Sequence, residues 1–403
     1  MRTSPTQSSS RMPEALVVSF NPLRFDSRVL RQIETVSQNF RVTVFAPGVG
    51  ASESWTQFNA KVLSPRRAQG LESSVVDSKL YRFSMGILLF SGIYKWFHWS
   101  PRYLPFWMKR LWRDIGSPHF DLIIVNDADP LPLAFSIARG SPVVADLHEY
   151  APAEEIIDTI HKRAMSRYRR WICRKYLGRC QAVTTVSESL RRLYREDFGV
   201  DSRVVLSAPR FSQIEPSHVN SNNLELVHHG IYRPDRGIED VIEAVANSSR
   251  DLTLHLVLPA HSIEPLRGFA TKLGLENRRI HFHDFVEPHN LIPFLNQFDL
   301  QVIFIPTTNP NDLGGLPNKF FESVQARLGI ISGPSPEIAQ IVEREDIGLV
   351  TDSFDPAQLS IALDSLEPES VSDWKKRSGS LAAKLCWENT APNYRDFVRW
   401  ANS

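Results

Sequence analysis

The sequence predicts two doubly wound α/β domains in tandem. Three observations carry that prediction. Short β-rich apolar runs alternate with helical stretches from Ala15 onward, as βαβ units around a parallel sheet require. The alternation breaks at the polar, turn-rich stretch Pro209 to Asn223 (PRFSQIEPSHVNSNN) and then restarts. A chain of 403 residues is long enough for two domains of about 100–200 residues each.

The elements follow in order. "ALVVSF" reads as a buried strand, and "DSRVLRQIETVSQ" as a helix with Asp26 or Ser27 as its N-cap. "RVTVFAP", "DLIIVND", "PVVAD", "QAVTTVS" and "RVVLSA" continue the first domain. "LELVHHG", "LTLHLVLP", "RIHFHDFV", "LQVIFIP" and "LGIISG" build the second. The expected layout is a disordered tail over 1–12, a first domain over 13–215 and a linker over 216–223. A second domain over 224–385 and a C-terminal helix over 386–403 complete it. No short-period repeat is present. Ligands of such sheets bind beyond the carboxyl ends of the strands, so the cleft between two such domains is the expected site.

Composition narrows the function. The chain is 42% hydrophobic and 23% charged, which is ordinary for a globular protein. A formal net charge of +1 gives no overall pull toward nucleic acid. Cys173, Cys180 and Cys386 form no CxxC pair and no zinc spacing, which fits a reducing cytoplasm. Residues 1–12 lack the apolar centre of a signal peptide. The longest apolar run, Ser84 to Tyr94, falls short of the roughly 20 residues that span a bilayer. The expected location is cytoplasmic, with peripheral contact at the inner face of the membrane as a further expectation.

"GGLPNKFFESVQARLG" (Gly314 to Gly329) reads as a helix entered through two glycines and a proline. Pro317 suits a first helical turn, where a missing N–H costs nothing. Gly314 and Gly315 permit close backbone approach. Phe320, Phe321, Val324 and Leu328 form an apolar face. Helix amides and the dipole favour an anion at the start. Lys319 beside them suits a phosphate, and Glu322 one turn on suits the paired hydroxyls of a ribose. The simpler reading is a solvated i, i+3 ion pair worth under about 1 kcal/mol.

The motif and its surroundings resemble the GT-B glycosyltransferases, specifically the retaining enzymes of family 4. "LPNKFFESVQARLGIISG" is similar to that family's donor-site loop, helix and strand, and "HHGIYRPDRGIEDVIEAV" to the first strand, loop and helix of its donor domain. "ADLHEY" resembles the acceptor-domain D-x-H-E element, and "WENTAPNYRDFVRW" the tail helix that returns to the first domain. "SFNPLRFDSRVLRQIETVSQNFRVTVFAP" resembles the opening strand, acceptor-side loop and helix.

The resemblance implies an acceptor-binding first domain and a nucleotide-sugar donor domain, both Rossmann-like, with a cleft between them. It implies donor contacts from Gly230, Arg236, Gly315, Leu316, Pro317, Asn318, Lys319 and Glu322. His148, Arg236 and Lys319 are the expected catalytic residues, with Asp26, Arg28 and Glu149 on the acceptor side. Arg236, Lys319 and the amides near Gly314 to Leu316 would stabilise charge on the departing β-phosphate. Glu322 would position the ribose, and His148 would hydrogen-bond the sugar. In this class the departing phosphate takes the acceptor proton. Two departures stand out. Gly314 occupies the place of the first acid of a Glu-x7-Glu pair, and Ile231 stands where a second basic residue often follows the glycine, with Arg233 as the alternative.

The donor base, UDP-type or GDP-type, and the glycan or lipid-linked acceptor are open. Two rivals share the features: a nucleotide-sugar epimerase of the same fold, and a non-catalytic binding homologue that the missing acid would suit. Asp127-x-Asp129 after an apolar strand resembles the metal-binding DxD of the other major glycosyltransferase fold. A solvated loop with capping acids explains it as well, and no essential metal is expected. His228 and His229 end a strand and His281 and His283 alternate along one, neither pair in a metal spacing. Residues 162–179 carry eight Lys or Arg and no acid, with Arg163, Arg167, Arg170 and Arg174 at helical spacing. The stretch 84–112 interleaves Trp96, Trp99, Trp107 and Trp112 with basic residues. Both suit peripheral contact with an anionic membrane, or a solvated helix and a packed insertion. No nucleic-acid motif accompanies the charge.

Overall fold

Alternating strands and helices build two parallel sheets, one in each of two units. The computed structural model describes residues 11–21, 23, 26–46, 61–63, 92, 119–154, 160–234 and 236–401. The tail over 1–10 and, but for Gly92, the aromatic stretch 84–112 lie outside the described residues. Contacts divide the chain into unit 1 (1–185, 191–203 and 391–403) and unit 2 (186–190 and 204–390).

Unit 1 holds β1 (Glu14–Val18), β2 (Arg41–Phe45), β3 (Lys61–Leu63), β4 (Leu122–Asn126), β5 (Val143–Leu147), β6 (Ala182–Thr185) and β7 (Arg203–Val204), in the spatial order β3-β2-β1-β4-β5-β6-β7. β1 pairs in parallel with both β2 and β4, so the strand order reverses beside it. β4 and β5 are buried along their whole length, which explains why they are apolar but for Asn126 and Asp146. Helices α1 (Ser27–Ser37), α2 (Leu131–Ile137) and α3 (Ile160–Tyr176) follow β1, β4 and β5. α4 (Glu188–Phe198) follows β6.

Unit 2 is a six-stranded sheet in the order β10-β9-β8-β11-β12-β13, parallel at every pairing. Its strands are β8 (Leu224–His229), β9 (Leu252–Val257), β10 (Ile280–His283), β11 (Leu300–Ile303), β12 (Gly329–Ser332) and β13 (Gly348–Val350). The order reverses between β8 and β11, the place where such sheets open to a ligand. Helices α5 (Ile238–Asn247), α6 (Ala260–Lys272), α7 (Pro288–Leu295), α8 (Pro310–Gly314) and α9 (Asn318–Gln325) alternate with them. α10 (Pro336–Glu345), α11 (Pro356–Asp364), α12 (Pro368–Ala382) and α13 (Trp387–Ala401) complete the chain. Leu226, Leu254 and Leu256 of the sheet pack on Ile238, Val241 and Val245 of α5.

The stretch expected as a polar linker, and the strand end before it, make hydrogen bonds within unit 2. The Ser207 hydroxyl donates to Asn318 Oδ1 (2.9 Å), Ser212 N–H to Gln325 Oε1 (2.9 Å) and the Ser217 hydroxyl to Asn296 O (2.6 Å). The Arg327 guanidinium, 3% exposed, donates to the carbonyls of Ser212 and Ile214. Part of the polar composition at 209–223 therefore serves hydrogen bonds to unit 2, while Gln213, Glu215 and His218 are exposed. At the other end, α13 starts in unit 2, while its residues from Ala391 cluster with unit 1, where Tyr394 and Phe397 are buried.

Candidate active site

In unit 2 the site forms where β8 ends. Gly230 follows the strand with φ +130, and a Cβ there would lie 3.4 Å from the Lys319 amine. Only glycine combines that backbone with so close an approach. Gly237, the N-cap of α5 at φ +65, has no room either, since a Cβ would run into the Phe304 carbonyl. Between the two glycines lies Arg236, with Nη1 3.9 Å from Asp312 Oδ1.

The motif first read as one helix is two. Gly314 closes α8, and Pro317 is the N-cap of α9 rather than part of its first turn. The break between them requires glycine at 315, because a Cβ there would sit 2.6 Å from the Asn311 carbonyl oxygen. Gly314 has a reason of its own. It is buried, its carbonyl accepts the Ser187 hydroxyl (2.5 Å), and a Cβ would meet the side chains of Ser189 and Leu190 at 3.3 Å. An acid at this position would have to displace that segment. Leu316 is buried with Phe320, Phe321 and Val324, which seats α9 on the sheet, while Asn318 is exposed.

Lys319 and Glu322 are not a solvated ion pair. The Lys319 amine lies 3.1 Å from His228 Nε2, and Glu322 Oε2 lies 2.9 Å from His229 Nε2. Burial, with Arg236 adding to it, pushes the Lys319 amine down to about 7. Burial and the Lys319 charge hold His228 well below the ordinary histidine range. The structure thus brings Gly230, Arg236, Lys319 and Glu322 together around the end of β8.

In unit 1 Asp146 lies near the end of β5 and His148 directly follows it. Arg28 grips Asp146 through Nε (3.0 Å) and Nη2 (2.7 Å). Gln32 Nε2 (2.9 Å) and the Thr184 hydroxyl (2.6 Å) donate to the same carboxylate. Burial works to raise Asp146, but Arg28 and His148 outweigh it and hold the group far below the usual carboxylate range. His148 has Nε2 3.5 Å from Asp146 Oδ2 and Nδ1 3.9 Å from Asp127 Oδ1. Burial opposes its charge, yet the two carboxylates raise it to about 9, so the ring is a cation at neutral pH.

Two acceptor-side expectations change. Arg28 is 3% exposed and committed to Asp146, so it supports the site from beneath instead of meeting an acceptor. Asp26 caps α1, accepting from Val29 N–H at 3.1 Å. Glu149 is exposed beside His148. Of the DxD pair, Asp129 is engaged at both oxygens by the buried Arg169 (3.1 Å each), and Asp127, at φ +66, accepts from His148 N–H (3.1 Å). His281 and His283 lie on β10, where His283 Nε2 is 2.8 Å from His255 Nδ1 and the His281 ring stacks on that of His255. Along α3, Arg163, Arg167 and Arg174 are exposed, whereas Arg170 pairs with Asp197 at 2.8 Å. Among the described residues no helix is long and apolar enough to cross a membrane.

Family models match both halves: Glycosyltransferase Family 4 over residues 34–207 and Glycosyl transferases group 1 over residues 224–367. The chain belongs to the GT-B glycosyltransferases. No match is found among curated protein sequences. Solved structures share the glycosyltransferase fold at low identity. Sucrose-phosphate synthase from Thermosynechococcus elongatus is 13% identical, with a TM-score of 0.72 over 96% of this chain and 98% of that one. Anabaena HepE, in complex with UDP and glucose, is 16% identical, with a TM-score of 0.67 over 96% and 98%. A variant of S. aureus TarM, in complex with Fondaparinux, alpha-GlcNAc-glycerol and UDP, is 9% identical, with a TM-score of 0.67 over 97% and 100%.

Sequence reasoning does not single out Gln301 and Asp312, which lie beside the candidate residues of unit 2, or Arg169, which holds Asp129 in unit 1. Arg169 had a signal: it lies four residues after Met165 and three before Ile172, on the apolar face of a basic helix. Gln301 interrupts an apolar strand, which is a weaker signal of the same kind.

Proposed function

We propose that this glycosyltransferase is a retaining enzyme of the LPNK-x-x-E subgroup. It moves a sugar from a nucleoside-diphosphate sugar to an acceptor hydroxyl in glycan, polysaccharide or glycolipid synthesis. The observation that carries this reading is the separation of Lys319 from Glu322. Two opposite charges one turn apart would pair if they only decorated a surface, yet each is held by its own histidine. That leaves an amine for phosphate oxygens and a carboxylate oxygen for ribose hydroxyls. The UDP in HepE and TarM supports a nucleotide donor.

In the proposed reaction the bond from the anomeric carbon to the β-phosphate oxygen breaks, and negative charge grows on that phosphate. Lys319, Arg236 and the amides at the start of α9 meet it with fixed positive charge, which costs no reorganisation as the bond breaks. Glu322 fixes the nucleoside end. His148 donates to a sugar hydroxyl. As a cation it is no base, which suits a mechanism in which the departing phosphate takes the acceptor proton. Glu149 is the acceptor-side group left after Arg28 and Asp26 are assigned to the fold. No step runs through a metal.

Titration of UDP, GDP and ADP by calorimetry tests the site. Lys319→Ala is expected to weaken the best binder roughly 30-fold, the loss of a charge-assisted contact worth about 2 kcal/mol. Glu322→Ala is expected to weaken it about tenfold. Turnover is expected to survive a chelator. If both variants bind as the unmutated protein does, the assignment is wrong.

A further inference from the structure

β8 ends on two consecutive buried histidines, His228 and His229, 0% and 4% exposed. Neighbouring strand residues point to opposite faces, so a shared destination is not automatic. Yet each reaches one of the two charged residues of α9. His228 Nε2 is 3.1 Å from the Lys319 amine, and His229 Nε2 is 2.9 Å from Glu322 Oε2.

The rear nitrogen of each ring is fixed by β11. His228 Nδ1 lies 3.0 Å from the Val302 carbonyl, which only accepts. The hydrogen of His228 is therefore on Nδ1, and Nε2 presents its lone pair to the lysine. Gln301 Nε2 donates to the same Val302 carbonyl (2.9 Å), which turns its Oε1 toward His229 Nδ1 at 2.9 Å. The Glu322 carboxylate oxygen accepts, so His229 Nε2 is a donor where His228 Nε2 is an acceptor. The Ser323 hydroxyl lies 3.1 Å from the same Gln301 oxygen. Buried rings with both nitrogens engaged have one orientation available, which they impose on what they hold.

We propose that His228 and His229 are positioning residues of the donor site: His228 holds the Lys319 amine toward the diphosphate, and His229 turns the Glu322 carboxylate toward the ribose hydroxyls. The proposal rests on the nucleotide-sugar reading above. His228 takes one of the three hydrogens of the ammonium and leaves two for phosphate. His229 occupies Oε2 and leaves Oε1 for ribose. The sugar's nucleotide is thus clamped from the end of β8 through the first turn of α9, at the reversal of strand order.

The test uses the full chain and the tightest binder among UDP, GDP and ADP, together with the 2′,3′-dideoxy form of that nucleotide. Circular dichroism and thermal unfolding confirm that each variant is folded. His229→Leu is expected to weaken the ribose form about tenfold and the dideoxy form little. His229→Gln, which places an N–H near the lost Nε2, is expected to restore most of the ribose-dependent affinity. His228→Leu is expected to weaken both forms alike, and to add nothing in a Lys319→Ala background. His229→Ala gives the same comparison if His229→Leu does not fold. Equal losses for both forms in the His229 variants, or no loss while Glu322→Ala binds weakly, would overturn the proposal. An unmutated protein that binds none of the three nucleotides would overturn the donor reading itself, and this proposal with it.

Discussion

Lys319 carries its charge against its surroundings. Burial and the nearby Arg236 push it from the ordinary lysine range down to about 7, with Glu322 only partly compensating. In the proposed complex a diphosphate beside it would supply the missing counter-charge and pull the value back up. The sign follows from linkage. Below about pH 7 the amine is already protonated, and donor binding moves no proton there. Above it, binding must take up a proton, so affinity is expected to fall by up to tenfold per pH unit. A nucleotide sugar is the right probe, because its diphosphate does not titrate near neutrality. Calorimetry in buffers of different ionisation heat would show the proton uptake. Lys319→Arg, always charged, is expected to flatten the dependence. The motif made Lys319 a visible candidate from the sequence. Its altered acidity was not visible, since it depends on burial in the fold and then on Arg236, 83 positions earlier in the chain.

At the level of elements, the loop after β4 is locked to α3 through Asp129 and Arg169. The guanidinium, 1% exposed, meets both Asp129 oxygens and also Glu154 Oε2 at 2.9 Å. Removing one partner of such a pair leaves a buried charge, at a cost of about 3–5 kcal/mol. Asp129→Ala is therefore expected to lower the melting temperature by several degrees, at the low end of that cost because Glu154 remains. Asp129→Leu with Arg169→Met is expected to recover most of the loss. If Asp129→Ala melts like the unmutated protein, the pair is not structural. The strand before Asp129 was legible, since its apolar run is unbroken. The role of the acid was not, because D-x-D at a strand end reads equally as a metal site, and only the helix packed beneath it decides. The same holds for Gly314, whose missing side chain reflects Ser189 and Leu190 packed against it.

On the scale of the whole molecule, unit 1 is completed by the far end of the chain. Tyr394, Phe397 and Val398 of α13 are buried in it, and Arg395 and Arg399 reach Gln38 and Asn39. The Tyr394 ring lies against the Arg28 and Asp146 network. Three such side chains contribute about 1.5–3 kcal/mol each when buried. Truncation after Thr390 is expected to destabilise unit 1 selectively. Hydrogen exchange would then show lost protection in β1 and α1 with β8 and β11 unchanged. Uniform loss across both units would contradict this division.

The sequence by itself determined the two α/β domains, because strand and helix periods are local properties written into consecutive residues. It also singled out Gly314 to Glu322 as the stretch to weigh for a nucleotide contact, since glycine, proline and paired charges meet there at a helix start. The tertiary structure alone decided what those charges touch. Lys319 and Glu322 are three residues apart and would pair on an isolated helix, but their partners are 91 and 93 residues away. Strand order brings β8 beside β11 and under α9, and that order is set by the packing of the whole sheet rather than by any local pattern. For the same reason Arg28, an acceptor-side candidate by resemblance, is a buried strut: Asp146, its partner, lies 118 residues away.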